Sequence, residues 1–207
     1  MDFIEADPAW PFSRAKTAVI RAAAAVIREQ GPRSATLKNI AGRAGITEPA
    51  IFRHFDGVDG LFEGLFFVFE RHFSLLSACF SGPGKGSDRF IAGAKATVGV
   101  FASNKDFAYL LLHAEHVFRG YPHLRKRIAE LRQNDQKAVF SALEEAMTAG
   151  QFDSAADIQA VAMAFFGTIH LTVHGWIESE EDFDVTELAT HRIEAIQRLV
   201  KGYRSQS

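Results

Sequence analysis

Apolar residues recur at helical period along nearly the whole chain, and short clusters of Gly, Pro and polar residues interrupt them. Val19, Ile20, Ala23, Val26 and Ile27 form one stripe behind a Ser13 cap, predicting a helix over 13–30. Leu37, Ile40, Ala41 and Ala44 recur at i, i+3, i+4, i+7, so a second helix opens at Thr36 and closes at Gly45. Thr47 is read as the cap of a third helix, with Pro49 in its first turn, where a missing N–H is harmless. After a hinge at 57–60, a phenylalanine-rich helix over 61–80 is apolar around much of its circumference, which requires burial on more than one side. Five more helices are predicted over 88–103, 105–119, 123–148, 155–178 and 185–203. Breakers at 82–86, 120–122, 150–154 and the acidic SEEDFD run separate them. With about nine helices, no internal repeat and no convincing strand, the chain reads as all-α.

The second and third helices lie unusually close. Ala41, Gly45 and Ile51 fall where a helix-turn-helix needs a small residue at the crossing, a turn glycine and a core-facing β-branched side chain. Such a unit lays its second helix in the major groove of DNA. Residues 1–57 are therefore expected to be an arm plus a helix-turn-helix domain, and 58–207 a helical body. Thr36 and Thr47 open helices, which suits their hydroxyls and neighbouring amides to phosphate contact. Arg43 and Arg53 supply cations nearby, while Glu48, Pro49 and Ala50 start the recognition helix and are placed to face base edges. A glutamate there can accept from a cytosine amine and an alanine can pack on a thymine methyl.

The ordered set from Ser13 to about Leu65 resembles the tetracycline-repressor (TetR) family of bacterial transcriptional regulators: an amphipathic first helix, Gly31, Thr36, IAGRAGIT across the turn, IFRHF and Leu61. The resemblance implies a dimeric regulator that binds a double-stranded, palindromic DNA operator and answers to a small-molecule effector, with repression the usual outcome. It makes His54 a phosphate contact. Phe52 stands where the family usually has tyrosine, and Val58 where it usually has lysine. Loss of such a cation should weaken binding to all sequences alike and flatten the salt dependence by about one unit of slope.

Charge sharpens this reading. The net charge of −2 hides a basic head, with eight cations and two acids between Ser13 and Phe55, on an acidic remainder. The 47% apolar content is ample for a packed core. One cysteine, Cys79, excludes an intramolecular disulfide and suits a reducing cytoplasm, and its apolar neighbours argue against a reactive thiol. The acidic N-terminus lacks the basic stretch of a signal peptide. No uninterrupted apolar run approaches the roughly 20 residues of a membrane span, so no membrane partner is expected.

In the body, Ala160, Ala164, Gly167 and Thr168 let another helix approach closely, and Ile193, Ile196, Leu199 and Val200 add an apolar stripe. These two C-terminal helices are expected to form half of a four-helix homodimer interface, the alternative being that they close the protomer core. The resemblance implies an effector pocket among the preceding helices. Candidate lining residues are Phe66, Phe69, Phe73, Phe101, Phe107, Leu111 and Phe140, which suit an apolar or aromatic effector, with His113, His116 and His170 as polar groups. The alternative for each phenylalanine is ordinary core. His113/His116 and His170/His174 have the spacing of metal ligands on one helix face, but no cysteine accompanies them; no metal or cofactor is expected. An enzyme is disfavoured, since G-x-S-x-G is absent and Glu144-Glu145 and Glu180-Glu181-Asp182 read as solvated carboxylates. The glycine cluster at 82–86 lacks the strand and the terminal lysine of a phosphate loop. A second reading is a DNA-associated structural protein whose body binds a protein partner.

Overall fold

The computed structural model describes residues 10–179 and 183–201. Ten α-helices lie among them: α1 Arg14–Gln30, α2 Leu37–Ala44, α3 Glu48–Ile51, α4 Gly57–Ser81, α5 Gly86–Ala102, α6 Lys105–Leu112, α7 Ala114–Val117, α8 Pro122–Thr148, α9 Ile158–Glu178 and α10 Val185–Val200, with a 3-10 turn at Pro32–Ser34. No strand occurs among the described residues. Most of the expected arm, the middle of the acidic run with Glu180, Glu181 and Asp182, and the end of the last predicted helix lie outside them.

Two compact units divide the chain. The first runs up to Arg71 and includes Ser103–Ala129; the second joins His72–Ala102 to residues from Glu130 onward. In the first unit, α1 packs on α2 and α6 through a nearly continuous buried run from Val19 to Ile27. Ser13 caps α1 by accepting from the Lys16 amide, and Arg28 pairs with Asp106 at the start of α6. Trp10 donates to the Thr17 hydroxyl at 2.8 Å, and its ring meets Phe12 and Phe67, stapling the described end of the arm. Phe118 fills the space beside α4, edge-on to Phe62, Phe66 and Phe69.

In the second unit, α10 packs on α9 and α5. Phe80, Phe90, Phe152 and Phe165 form an aromatic cluster with centroids 5.3 to 6.4 Å apart. Gly93 faces Phe80 so closely that an added Cβ would lie 2.5 Å from the ring, so α5 needs glycine there. Gly86 is equally constrained, 2.5 Å from the Ala142 carbonyl and 2.7 Å from the Ala146 nitrogen on α8. Asp157 and Asp184 cap α9 and α10, each accepting from two amides of the first turn.

Several helix limits differ from expectation. The hinge at 57–60 is already helical, with Gly57 at φ 67° starting α4. The segment expected as one helix over 105–119 breaks at His113, whose backbone (φ −102°, ψ 23°) ends α6 and precedes α7. His113 and His116 therefore do not share a continuous helix face. Residues 155–156 belong to a turn held by Asp153, whose carboxylate accepts from the Ala155 amide and whose own amide donates to the Val200 carbonyl.

Candidate nucleic-acid interface

The two helices of the head are set by local chemistry. Thr36 accepts from the Asn39 amide and caps α2; Gly45 then adopts φ 68°, ψ 29°, the left-handed geometry that costs glycine least. The Gly45 amide bonds the Ala41 and Gly42 carbonyls, and the Ile46 amide returns to Ala41, which turns the chain sharply. Ile40, Ala41, Ile51 and Phe55 are buried beneath this turn. The recognition helix α3 is a single turn, prolonged by bonds from the Arg53, His54 and Phe55 amides to the Ala50 and Ile51 carbonyls.

Its outer surface is open. Thr47, Glu48, Pro49, Phe52 and Arg53 are exposed, while Ala50 and His54 are half-buried. Thr47 occupies the capping position without the expected side-chain bond. That corrects the expectation that it caps α3: Pro49 offers no amide, and the Ala50 amide donates to the Thr47 carbonyl. Phe52 is 59% exposed, an unusual cost for a phenylalanine without a surface to meet. Arg43 is held by Glu29 on α1 through two bonds of 2.9 and 3.1 Å. Lys16, absent from the sequence candidates, lies over the Phe12 and Phe55 rings at 4.4 and 4.9 Å. Tyr121 donates to Asp59 in the first turn of α4, and burial with that carboxylate pushes its hydroxyl up to about 12.

The remaining candidates fall in both units. In the first, Phe66, Phe69, Phe107 and Leu111 are buried, His113 is half-buried and His116 exposed. In the second, Phe101 is buried, Phe73 and Phe140 half-buried and His170 exposed. His170 and His174 stack at 6.2 Å on the open face of α9, and no group of three His, Cys, Asp or Glu among the described residues is poised for a metal. Cys79 is half-buried.

The dimerisation candidates separate by burial. Ile193, Ile196 and Val200 are buried within the protomer, so they close its own core and do not offer a surface. Ala160 and Ala164 are exposed, Gly167 and Thr168 half-buried, and Leu199 is 72% exposed. Met163 at 73% and Leu171 at 71% extend the open face of α9 and are not among the residues expected from the sequence. α9 is long and apolar enough to pass a length-and-composition test for a membrane span, with a mean hydropathy of 1.4, as core helices also do. Only 39% of that stretch is buried, which marks an apolar face without a partner in the protomer.

No curated protein matches the chain. Its fold is similar to solved structures at low identity. The ketosteroid transcriptional regulator KstR2 of Mycobacterium tuberculosis has TM-score 0.77 and 16% identity over 89% of this chain and 94% of that one. A bacterial regulatory protein of the tetR family from Rhodococcus RHA1 has TM-score 0.71 and 23% identity over 91% and 98%. FadR from Bacillus subtilis has TM-score 0.64 and 20% identity over 87% and 96%. Residues 19–65 match the bacterial regulatory proteins of the tetR family, and residues 83–200 match the tetracyclin repressor-like C-terminal domain. With both segments matched in their family order around the exposed turn-and-helix head, the chain belongs to the TetR family of bacterial transcriptional regulators.

Proposed function

We propose that the protein is a dimeric one-component repressor that binds a palindromic operator and is released by a small apolar or aromatic effector. In this reading residues 1–57 bind DNA and 58–207 hold the effector and the partner. The observation that carries it is α3, a short helix after a left-handed glycine with Thr47, Glu48, Pro49, Phe52 and Arg53 exposed along one side. A side so free of protomer contacts suits a groove. Thr36, Arg53, His54 and, once freed from Glu29, Arg43 hold phosphates, while Glu48 and Ala50 read bases.

The open face of α9 around Ala160, Ala164, Met163 and Leu171, with Leu199 exposed on α10, supports pairing with a second copy. Two heads about a two-fold axis then read two half-sites. An apolar effector is supported by the phenylalanine-rich interiors and by the similarly folded Bacillus subtilis regulator, which was solved with stearoyl-CoA. An effector that favours one arrangement of α4 changes operator affinity by its differential binding to the two states.

Selection of genomic fragments followed by fluorescence anisotropy tests the reading. One palindromic site bound in a salt-dependent manner, and released by an apolar compound, is expected. Equal binding to every duplex, or no binding at low ionic strength, would refute it.

A further inference from the structure

Beside the head, and wholly within the first unit, lies a cleft of about 830 Å³. It is walled by the 3-10 turn and the start of α2 on one side of the sequence, and by the first turns of α4 and the segment from α7 to α8 on the other. Val58, Phe62 and Val117 give it apolar walls, whereas Arg33, Arg119 and His116 are its ionisable nitrogen donors. No Asp or Glu lines it. Among the described residues neither guanidinium has a carboxylate partner. Nearby acids are engaged elsewhere: Glu29 with Arg43, Asp59 with the Tyr121 hydroxyl, and Glu115 with Arg125.

That combination is chemically selective. Arg33, His116 and Arg119 are exposed, so they stand at the open rim of a concave space that no carboxylate lines; like charges placed there repel each other, and an anion between them relieves the repulsion. Guanidinium groups favour planar or tetrahedral oxyanions, which they bind by paired hydrogen bonds. The volume falls within the range of about 300 to 1,000 Å³ usual for small-molecule sites, and apolar walls favour a ligand with a hydrophobic body. We infer that this cleft binds an amphipathic organic anion, with a carboxylate, phosphate or sulfonate held by Arg33 and Arg119 and an apolar body against Val58, Phe62 and Val117. A wall of the cleft is formed by Thr36 and Leu37, so an occupant presses directly on the start of α2. Only that consequence for DNA rests on the proposed function; the binding itself does not.

Two fluorescent dyes of nearly equal shape separate charge from apolar burial: anionic anilinonaphthalene sulfonate and neutral N-phenylnaphthylamine. Titration of the full chain without DNA should show saturable enhancement with the anion. The double variant Arg33→Gln/Arg119→Gln should weaken it by about tenfold and leave the neutral dye unchanged. Val58→Glu, which adds a carboxylate in the first turn of α4 and removes one apolar wall, should weaken the anionic dye more than the neutral one. Far-ultraviolet circular dichroism melts of the variants should match the parent. If the anionic dye binds all three proteins alike, or if the arginine variant loses both dyes together, the inference is overturned. Loss of duplex affinity in the arginine variant with unchanged dye binding would instead make these cations DNA contacts, and would overturn it too.

Discussion

Asp135 on α8 is 8% exposed, and the Ser77 hydroxyl at 3.5 Å is its one hydrogen-bonding neighbour among the described residues. Burial pushes its carboxyl from 3.8 up to about 6. Well below pH 3.8 both folded and unfolded chains hold the proton, so burial costs nothing there. Between pH 4 and 6 the unfolded chain ionises first, and the folded state loses stability steadily; above pH 6 the loss is constant at about 3 kcal/mol. Asp135→Asn keeps the shape of the protonated acid and cannot ionise. Its amide still needs a partner, which offsets about 1 kcal/mol of the gain. The variant should therefore exceed the parent by about 2 kcal/mol at pH 7.5, or about 6 °C in Tm for a chain of this size, and fall about 0.5 kcal/mol below it near pH 4, where the amide's cost outweighs the small remaining gain. Parallel urea titrations and thermal melts at both pH values measure the difference of differences, in which every other titrating group cancels. An equal gain at pH 4, or a loss at pH 7.5, would show that the carboxylate is stabilised where it lies and refute the argument.

His72 has the opposite sign. Burial lowers its pKa to about 3 from 6.5, so the unfolded chain binds the proton first and stability is lost as pH falls from 6.5 toward 3; His72→Leu should recover about 2 kcal/mol at pH 5 relative to pH 7.5 in the same melts. Phe52→Tyr adds a hydroxyl at an exposed position of the head and should raise operator affinity about fivefold without changing sequence preference, measured by anisotropy against matched and mutated sites. Met163→Glu combined with Leu171→Glu places two charges on the open face of α9 and should yield a folded monomer in sedimentation velocity; an unchanged dimer would place the interface elsewhere.

What could be read from the sequence was whatever a single residue decides locally. Thr36 and Gly45 specify the limits of α2 because a side-chain acceptor and a missing Cβ act on their own backbone. The break at His113 was not legible: no glycine or proline marks it, and α7 is set off by tertiary packing of Ala114, Val117 and Phe118, which are all buried. Thr47 has the residue type of a cap, but Pro49 carries no amide and the Ala50 amide is taken by the Thr47 carbonyl, which the residue type alone does not reveal. Periodicity in α10 gave the buried stripe at Ile193, Ile196 and Val200 but not its neighbour. An apolar face has the same pattern whether it meets its own core or another chain. Only three-dimensional exposure separated these residues from Met163, Leu171 and Leu199. The Arg43–Glu29 pair was equally hidden, since fourteen positions of separation carry no helical signal.

The contact between Gly93 and the Phe80 ring leaves no room for even a methyl group. Such a fit works like a key in a lock: α5 cannot slide along the last turns of α4 without lifting clear of the ring. A tilt of that end of α4 that preserves this fit has to take α5 along.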